Sequence, residues 1–301
     1  MNIEPARYTN GRMALGDLCS SISRLERRRR EVACLDSLVK LAELLLLRGD
    51  FLGCLADHDL AESAAEEAAA LFPNAGTAMV LRARVEARFR RFEESHALLD
   101  LAVGCGGSRE QIMSTRAGLL QATGKFWGAL ELRDRLARER PGIETFGALA
   151  TLSAEMDQFA LAEILYAEAL NLDDGASPFA CAQLLYEWGV AAMRHGDLGR
   201  AEQRFIDLEA VLPWHMPGQA RRAEVALARG QIEAAAAFIA SALDASDDPA
   251  YRVIHARIMA AGGDHAEAMN ESRRAADGYA AFLASGRRRA PRKIDRVPTL
   301  S

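Results

Sequence analysis

The stretch CLADHD, residues 54–59, holds the densest group of potential metal ligands in the sequence. Cys54 and His58 stand four positions apart, so a helix would place both side chains on one face. A zinc ion usually needs three or four converging ligands, and a fourth would have to come from elsewhere in the chain. A metal site on Cys54 and His58 is one hypothesis. The preferred alternative is a polar loop that caps a helix, with no metal and no other cofactor.

A second stretch, MRHGDLGRAEQRF (residues 193–205), places His195, Gly196 and Asp197 in a row. Glycine followed by aspartate is typical of a tight turn between two helices, because glycine readily ends one helix and aspartate caps the next. We interpret the stretch as such a turn. The sequence contains no phosphate-binding glycine loop, zinc-protease, serine-hydrolase or paired-cysteine motif, and its six histidines are scattered. We therefore predict no catalytic residue and no enzyme activity.

The turn at Gly196 is one of seven predicted turns that recur along the chain. Two columns of small residues keep a constant distance from these turns, seven residues before and five residues after. A small residue at each crossing lets two paired helices approach closely. The predicted turn residues are Gly49, Arg90, Gly124, Asp157, Gly196, Gly230 and Gly263. The earlier column is Ala42, Ala83, Ala117, Ala150, Gly189, Ala223 and Ala256, and the later column is Ser95, Ala129, Ala162, Ala201, Ala235 and Ala268.

Prolines and turn spacing complete the pattern. Pro73, Pro141 and Pro213 fall where the second helix of a pair must end. With spacings of 33 to 41 residues between turns, the chain resembles the tetratricopeptide-repeat family over about residues 35–285. The resemblance implies an all-α fold, a right-handed α-solenoid of about seven helix-turn-helix repeats. An extra long helix over Leu18–Leu47 precedes the repeats, and a capping helix closes them at the carboxyl end.

The pattern predicts one folded domain over residues 18–285, preceded by a flexible tail over residues 1–17. Residues 286–301 are basic and lack apolar periodicity, which is typical of a disordered tail. Two insertions interrupt the repeat spacing, one near CLADHD and one at NLDDGASPFA, residues 171–180. Such loops often carry function in repeat proteins.

The composition bears on partners and on the compartment. The chain has 301 residues, half of them hydrophobic, and a formal net charge of -5, which gives no overall attraction to nucleic acid or anionic membranes. No stretch approaches the roughly 20 apolar residues that span a bilayer, and the start lacks the pattern of a secretory signal. Five cysteines without a close pair indicate free thiols. We predict a cytoplasmic protein, and the excess of arginine over lysine is typical of a GC-rich bacterial genome.

In the tetratricopeptide-repeat family the first helices of successive repeats line a concave groove, and the resemblance implies partner-binding side chains at fixed positions before each turn. Arg84, Arg88 and Arg194 are expected to hold carboxylates through paired hydrogen bonds. Tyr186 and Met193 are expected to offer an apolar anchor. The complete predicted groove consists of Arg84, Arg88, Gln121, Thr151, Glu155, Tyr186, Val190, Met193, Arg194, Glu224 and Arg257.

These observations predict a non-enzymatic scaffold or adaptor that binds a protein or peptide in the groove. The alternative is an accessory or regulatory subunit that contacts nucleic acid or an acidic partner through two basic segments, Arg27–Arg30 and Arg287–Lys293. Metal binding through Cys54 and His58 is a third hypothesis. Under the leading hypothesis neither nucleic acid nor a membrane is a partner, and the long amino-terminal helix is a candidate surface for a homodimer.

Overall fold

The computed structural model describes residues 8, 10–175 and 177–284, and every regular element in that part of the chain is an α-helix. The predicted all-α class is confirmed. No described helix combines the length and the apolar character that a bilayer crossing requires. The fifteen helices of the described residues are α1 (Gly11–Glu31), α2 (Leu35–Leu52), α3 (Leu55–Leu71), α4 (Gly76–Arg88), α5 (Phe92–Gly104), α6 (Arg109–Ala122), α7 (Phe126–Glu139), α8 (Ile143–Glu155), α9 (Phe159–Asn171), α10 (Pro178–His195), α11 (Leu198–Val211), α12 (Met216–Ala228), α13 (Ile232–Ala245), α14 (Pro249–Ala261) and α15 (His265–Ala284).

Six of the seven predicted turns have the backbone conformation that a tight helix ending requires. Their turn residues have φ between 60° and 89°, namely Arg90, Gly124, Asp157, Gly196, Gly230 and Gly263. At the turn after α10, Gly196 donates its N–H to the carbonyl of Met193 (3.0 Å), and Asp197 donates to Ala192 (2.9 Å). The other five turns repeat both bonds. This pair of bonds is the Schellman motif, which satisfies the last carbonyls of a helix and reverses the chain.

The two columns of small residues lie inside the helix pairs, as predicted. Ala83, Ala117, Ala150 and Ala223 are fully buried, and so are most members of the later column. A methyl group at Gly189 on α10 would lie 2.5 Å from the Phe205 ring on α11. The helices of a pair therefore approach too closely for a larger side chain at these positions.

Helix ends and helix starts follow the expected signals. Asp197 accepts the N–H of Arg200 at 2.9 Å at the start of α11, so the stretch around Gly196 is the predicted turn with an aspartate cap. Three helices end two residues before a proline: Leu71 before Pro73, Glu139 before Pro141 and Val211 before Pro213.

The amino-terminal part differs from the prediction. The single helix expected over Leu18–Leu47 is wrong, because the chain forms α1 and α2 with a break at residues 32–34. At the start of α2 the Cys34 Sγ lies 2.5 Å from the Ser37 Oγ. α1 begins at Gly11, so residues 11–17 are helical rather than a flexible tail.

The turn predicted at Gly49 is also wrong. α2 continues through Gly49 to Leu52, and the residue with positive φ is Gly53, at 68°. α3 then begins at Leu55, two residues after Gly53, which matches the spacing at the later turns. Phe51 is buried, so tertiary packing favours the longer helix that carries its ring inward.

The described residues group into two compact units, whereas the repeat pattern predicts one domain. The amino-terminal unit comprises Arg12–Arg48 and residues 56–175. The carboxy-terminal unit comprises residues 177–284, residues 8, 10 and 11, and the short segment Gly49–Leu55. In the first unit α5 packs on α6 and α7 on α8, and in the second α11 packs on α12 and α13 on α14. Successive helix pairs therefore stack within each unit.

Candidate functional site

The first helices of the amino-terminal unit carry two predicted arginines, and each contacts a neighbour. Arg84 on α4 binds Glu43 on α2 at 3.0 Å, and the Arg84 side chain is 38% exposed. Arg88, one turn further along α4, lies 3.5 Å from the Nε2 of buried His58. Arg84 keeps an accessible edge, whereas Arg88 is half-buried among the side chains of its unit.

Further predicted groove residues form hydrogen bonds on α6 and α8. Gln121 donates to Glu155 at 2.9 Å and accepts from Arg133 at 3.1 Å. The Thr151 hydroxyl lies 3.1 Å from the hydroxyl of buried Tyr166. Gln121, Thr151 and Glu155 are half-buried. We call the set on the first helices α4, α6 and α8 the polar row, and it consists of Arg84, Gln121, Thr151 and Glu155.

In the carboxy-terminal unit the corresponding residues form an enclosed ion-pair network. The Glu224 carboxylate has no exposed surface and lies 2.6 Å from Arg221 and 3.1 Å from Arg257. Burial lowers the pKa of Arg221, but attraction and hydrogen bonds from Tyr186 and Glu224 outweigh that effect, so the pKa lies above its ordinary value. The Glu224 charge is therefore neutralised inside the unit and is not offered to a partner.

Burial divides the predicted groove residues into two sets. Their role in partner binding stays a prediction, and the accessible set is the part that a partner could reach without rearrangement. The enclosed set is Tyr186, Met193 and Glu224. The accessible or half-buried set is Arg84, Arg88, Gln121, Thr151, Glu155, Val190, Arg194 and Arg257.

A segment outside the predicted groove, Gly49–Leu55, packs inside the carboxy-terminal unit. Phe51, in Gly49–Leu55, stacks on Phe179 with ring centroids 5.3 Å apart and packs at a tilt on His215, also at 5.3 Å. His215 in turn contacts Tyr186 at 5.0 Å. The repeat pattern assigns Phe51 to an ordinary apolar position after a turn at Gly49. The sequence signal that could have found it is the second glycine, Gly53, two positions later.

The stretch CLADHD begins α3 and contains a buried ion pair. Asp57 accepts two hydrogen bonds from Arg48, at 2.7 and 2.8 Å, and these bonds hold the pKa of Arg48 above its ordinary value. His58 contacts Arg88, as described above, and Cys54 is half-buried. Among the described residues no group of three or more His, Cys, Asp or Glu side chains is placed to hold a metal.

Only the first of the two basic segments lies in the described residues. Arg29 on α1 donates to Glu67 at 2.6 Å and to Ser63 at 3.1 Å, and both acceptors lie on α3. Arg29 therefore joins two helices of the amino-terminal unit. Arg287–Lys293 and the whole predicted tail over residues 286–301 lie outside the described residues.

Paired helices, left-handed turns and small-residue columns together define the class: the chain has the fold of the tetratricopeptide-repeat proteins. A tetratricopeptide repeat protein from Parabacteroides merdae is similar to it, with a TM-score of 0.54 and 17% identity over 84% of this chain and 97% of that chain. PilW, a widely conserved type IV pilus biogenesis factor, is similar with a TM-score of 0.52 and 17% identity, over 73% of this chain and 96% of that chain. A chain of the APC/C hetero-tetramer Cut9–Hcn1 is similar with a TM-score of 0.57 and 14% identity, over 86% of this chain and 56% of that chain.

No family model and no curated protein sequence matches the chain. The solved structures named above are 14–17% identical to it. At that identity they show a shared fold, and the properties of the site rest on this chain's own residues.

Proposed function

We propose that the chain is a non-enzymatic protein-interaction scaffold, and that its amino-terminal unit binds a partner segment along the polar row on α4, α6 and α8. The observation that carries this proposal is that these polar side chains are half accessible and already held by their neighbours. Gln121 and Glu155 bond to each other across two successive first helices. Ordered side chains lose little conformational entropy when a partner arrives, so more of the contact energy contributes to affinity.

The chemistry of the polar row favours a peptide segment with an acidic side chain. Arg84 uses its Nη1 for Glu43, and a guanidinium offers five N–H donors, so a partner carboxylate has donors left to bind. Gln121 and Thr151 carry groups that match a peptide backbone, which presents one donor and one acceptor at each residue. In the carboxy-terminal unit the predicted groove carboxylate, Glu224, is enclosed by Arg221 and Arg257.

The fold is in keeping with the proposed scaffold role, and the free cysteines are in keeping with the proposed location. One chain of the same fold is part of the hetero-tetramer Cut9–Hcn1, and another is a pilus biogenesis factor. At 14–17% identity these two structures share the fold with this chain, and the scaffold role that we propose rests on its own polar row. Its five cysteines are free thiols, in keeping with the cytoplasmic location that we propose.

Partner capture after charge reversal of Arg84, the arginine of the polar row, together with Arg88, one turn further along α4, tests the proposal. The chain is immobilised, exposed to a lysate of its own organism and washed at moderate salt. We expect Arg84→Glu/Arg88→Glu to reduce capture of the partner at least about tenfold, which corresponds to about 1.4 kcal/mol. Arg84→Ala/Arg88→Ala is the milder variant and keeps the result interpretable if charge reversal lowers the helix content measured by circular dichroism.

The matched control is Arg135→Glu/Arg138→Glu on α7. Both arginines are more than half exposed and form ion pairs within their own helix, so this control makes the same charge change on a second helix. Equal capture by wild type and control, with loss in the row variants, supports the proposal. Full capture by the row variants would contradict it.

A further inference from the structure

We propose a second binding site, on the amino-terminal unit: the carboxyl end of α1 binds a short acidic protein segment that also carries an aliphatic side chain. The site consists of Arg24, Arg27, Arg28 and Val32, and we call these residues the α1 patch. It shares no residue with the polar row. A failure of this proposal would therefore leave the proposed function standing, and the reverse also holds.

The orientation of α1 directs the patch to solvent. On the inner face of the helix Leu18 and Ile22 are buried, and Arg29 donates to Glu67 on α3 at 2.6 Å. These inner residues are spaced by four and seven positions, so they share one face of α1. The three arginines of the patch stand at positions i, i+3 and i+4 on the opposite face, and all three are exposed.

The patch carries positive charge that the described part of the chain does not neutralise. Arg24 donates to the Ser21 hydroxyl at 3.3 Å, and no described carboxylate forms an ion pair with any of the three arginines. Elsewhere, arginines such as Arg91 and Arg222 bind carboxylates of other helices. The dipole at the carboxyl end of α1 offsets only about half an elementary charge. Even with the exposed carboxylate of Glu31 nearby, the patch stays positive.

An exposed apolar side chain borders the arginines. The Val32 N–H donates to the Arg28 carbonyl at 2.8 Å, so Val32 lies one helical turn beyond Arg28. Val32 is 68% exposed. A segment that covers Val32 also removes water from the neighbouring guanidinium groups, and ion pairs strengthen as the local dielectric falls. Carboxylates next to an aliphatic side chain are therefore the chemistry that fits the patch.

The surroundings of the patch favour a protein segment over nucleic acid. A phosphate backbone would pair with the arginines and leave Val32 in water. α1 contains no aromatic residue, so it offers unpaired bases no stacking surface. A long polyanion, whether nucleic acid or an anionic membrane, also meets the field of a chain with a net charge of -5. A short acidic segment meets mainly the patch, because salt screens charges beyond about 8 Å.

The test is fluorescence anisotropy of the full-length chain with a labelled peptide of sequence Glu-Glu-Leu-Glu-Glu-Leu-Glu-Glu. We expect Arg27→Glu/Arg28→Glu to weaken binding at least about tenfold, because two attractions become repulsions. Val32→Ser should weaken binding about threefold through the loss of apolar contact. Arg27→Gln/Arg28→Gln removes the charges without reversing them, and it replaces the first variant if reversal near the helix end unfolds α1.

Two control variants separate the patch from other surfaces. Arg135→Glu/Arg138→Glu makes the same charge change on α7 and should leave the affinity within about twofold of wild type. Arg84→Glu/Arg88→Glu should do the same, which separates the patch from the polar row. A peptide with glutamine in place of each glutamate should bind at least about tenfold more weakly. A DNA duplex and phosphatidylserine vesicles, at equal concentrations of negative charge, should displace the labelled peptide less effectively than the unlabelled peptide does.

Four results would overturn the proposal. The variants of Arg27 and Arg28 could bind the peptide as wild type does, or the glutamine peptide could bind equally well. Displacement by the duplex or the vesicles that exceeds displacement by the peptide would make the patch a general site for polyanions. Loss of peptide binding in Arg84→Glu/Arg88→Glu alone would place the acidic segment on the polar row, which supports the proposed function and contradicts the α1 patch.

Discussion

At Gly230 the backbone has a φ of 73°, and at Arg90 it has a φ of 60° although arginine carries a Cβ atom. The same turn therefore tolerates a strained residue at one position and uses glycine at another. Arg90 has a local compensation, because its guanidinium lies over the Phe92 ring, 5.3 Å from the centroid. Arg90 thus departs from the glycine of the repeat pattern, and its contact with the Phe92 ring offsets part of the backbone strain.

A pair of alanine substitutions separates backbone strain from side-chain contacts. A Cβ atom at Gly230 would meet nothing within 4 Å, so Gly230→Ala should lower the free energy of unfolding by about 1–2 kcal/mol through the left-handed conformation alone. Arg90→Ala is the control, because Arg90 already adopts the left-handed conformation although it carries a Cβ atom. The change in the free energy of unfolding for this variant should stay within about 0.5 kcal/mol. Urea titration followed by circular dichroism measures both. Equal destabilisation by the two variants would contradict this account.

At the scale of the elements, a buried carboxylate on the last helix is neutralised by arginines on its own helix and on the neighbouring helix. Glu271 on α15 is almost fully buried and bonds to Arg252 on α14, at 3.2 Å, and to Arg274. Burial raises the pKa of Glu271, but hydrogen bonds and attraction from Arg274 and Arg252 outweigh it, so the pKa lies below its ordinary value. The last two helices are thus joined by a carboxylate that must stay charged.

Acid should weaken that junction. Because the pKa of Glu271 is lower in the folded chain than in the unfolded chain, its stabilisation is complete above the unfolded value of about 4.3 and is lost as the pH falls through the folded value. Glu271→Gln should cost about 1.5–3 kcal/mol at pH 7, and the difference from wild type should shrink as the pH falls below about 4.3. Thermal unfolding across this range measures the trend. A difference that does not depend on pH would refute it.

Most helix pairs were predictable because their signals are local. A turn residue, a small residue on either side and a following proline all act within one repeat, so a single sequence reveals them. The break between α1 and α2 was missed because an apolar stripe continues across residues 32–34, which contain neither glycine nor proline. Gly49 and Gly53 compete as turn residues, and local rules do not choose between them.

At the scale of the whole molecule, the order of residues in the chain and their grouping into units disagree at the described residues 8, 10 and 11 and again at Gly49–Leu55. Gly49–Leu55 belongs to the carboxy-terminal unit, although the residues before and after it belong to the amino-terminal unit. The stability of this segment should therefore follow that of α10–α15.

Gly189→Ala tests this grouping. The added methyl group would lie 2.5 Å from the Phe205 ring, and such overpacking costs about 1–3 kcal/mol. By amide hydrogen exchange we expect lower protection in residues 177–284 and also in Gly49–Leu55, with little change in α6–α9. Gly199→Ala, where the nearest atom is 3.6 Å away, is the control. Protection of Gly49–Leu55 that stays constant while α10–α13 lose theirs would contradict the grouping.

The predicted groove illustrates the limit of sequence reasoning. Repeat register places Arg84, Gln121 and Glu155 on first helices, and the structure brings Gln121 and Glu155 into a hydrogen bond across two of them. The same register places Glu224 in the groove, where it is enclosed by arginines. Register specifies which helix face a residue occupies, but accessibility depends on what else packs on that face.

Helix type, helix pairing and the left-handed turns follow from the order of residues alone, because each depends on interactions within about one repeat. Which groove side chains reach solvent, where the first turn lies and which surface Phe51 covers were decided only by the tertiary structure. These features rest on contacts such as that between Ser246 and Gly53, which are 193 positions apart. No local pattern encodes a contact at that separation, because its free energy depends on the simultaneous placement of every helix between them.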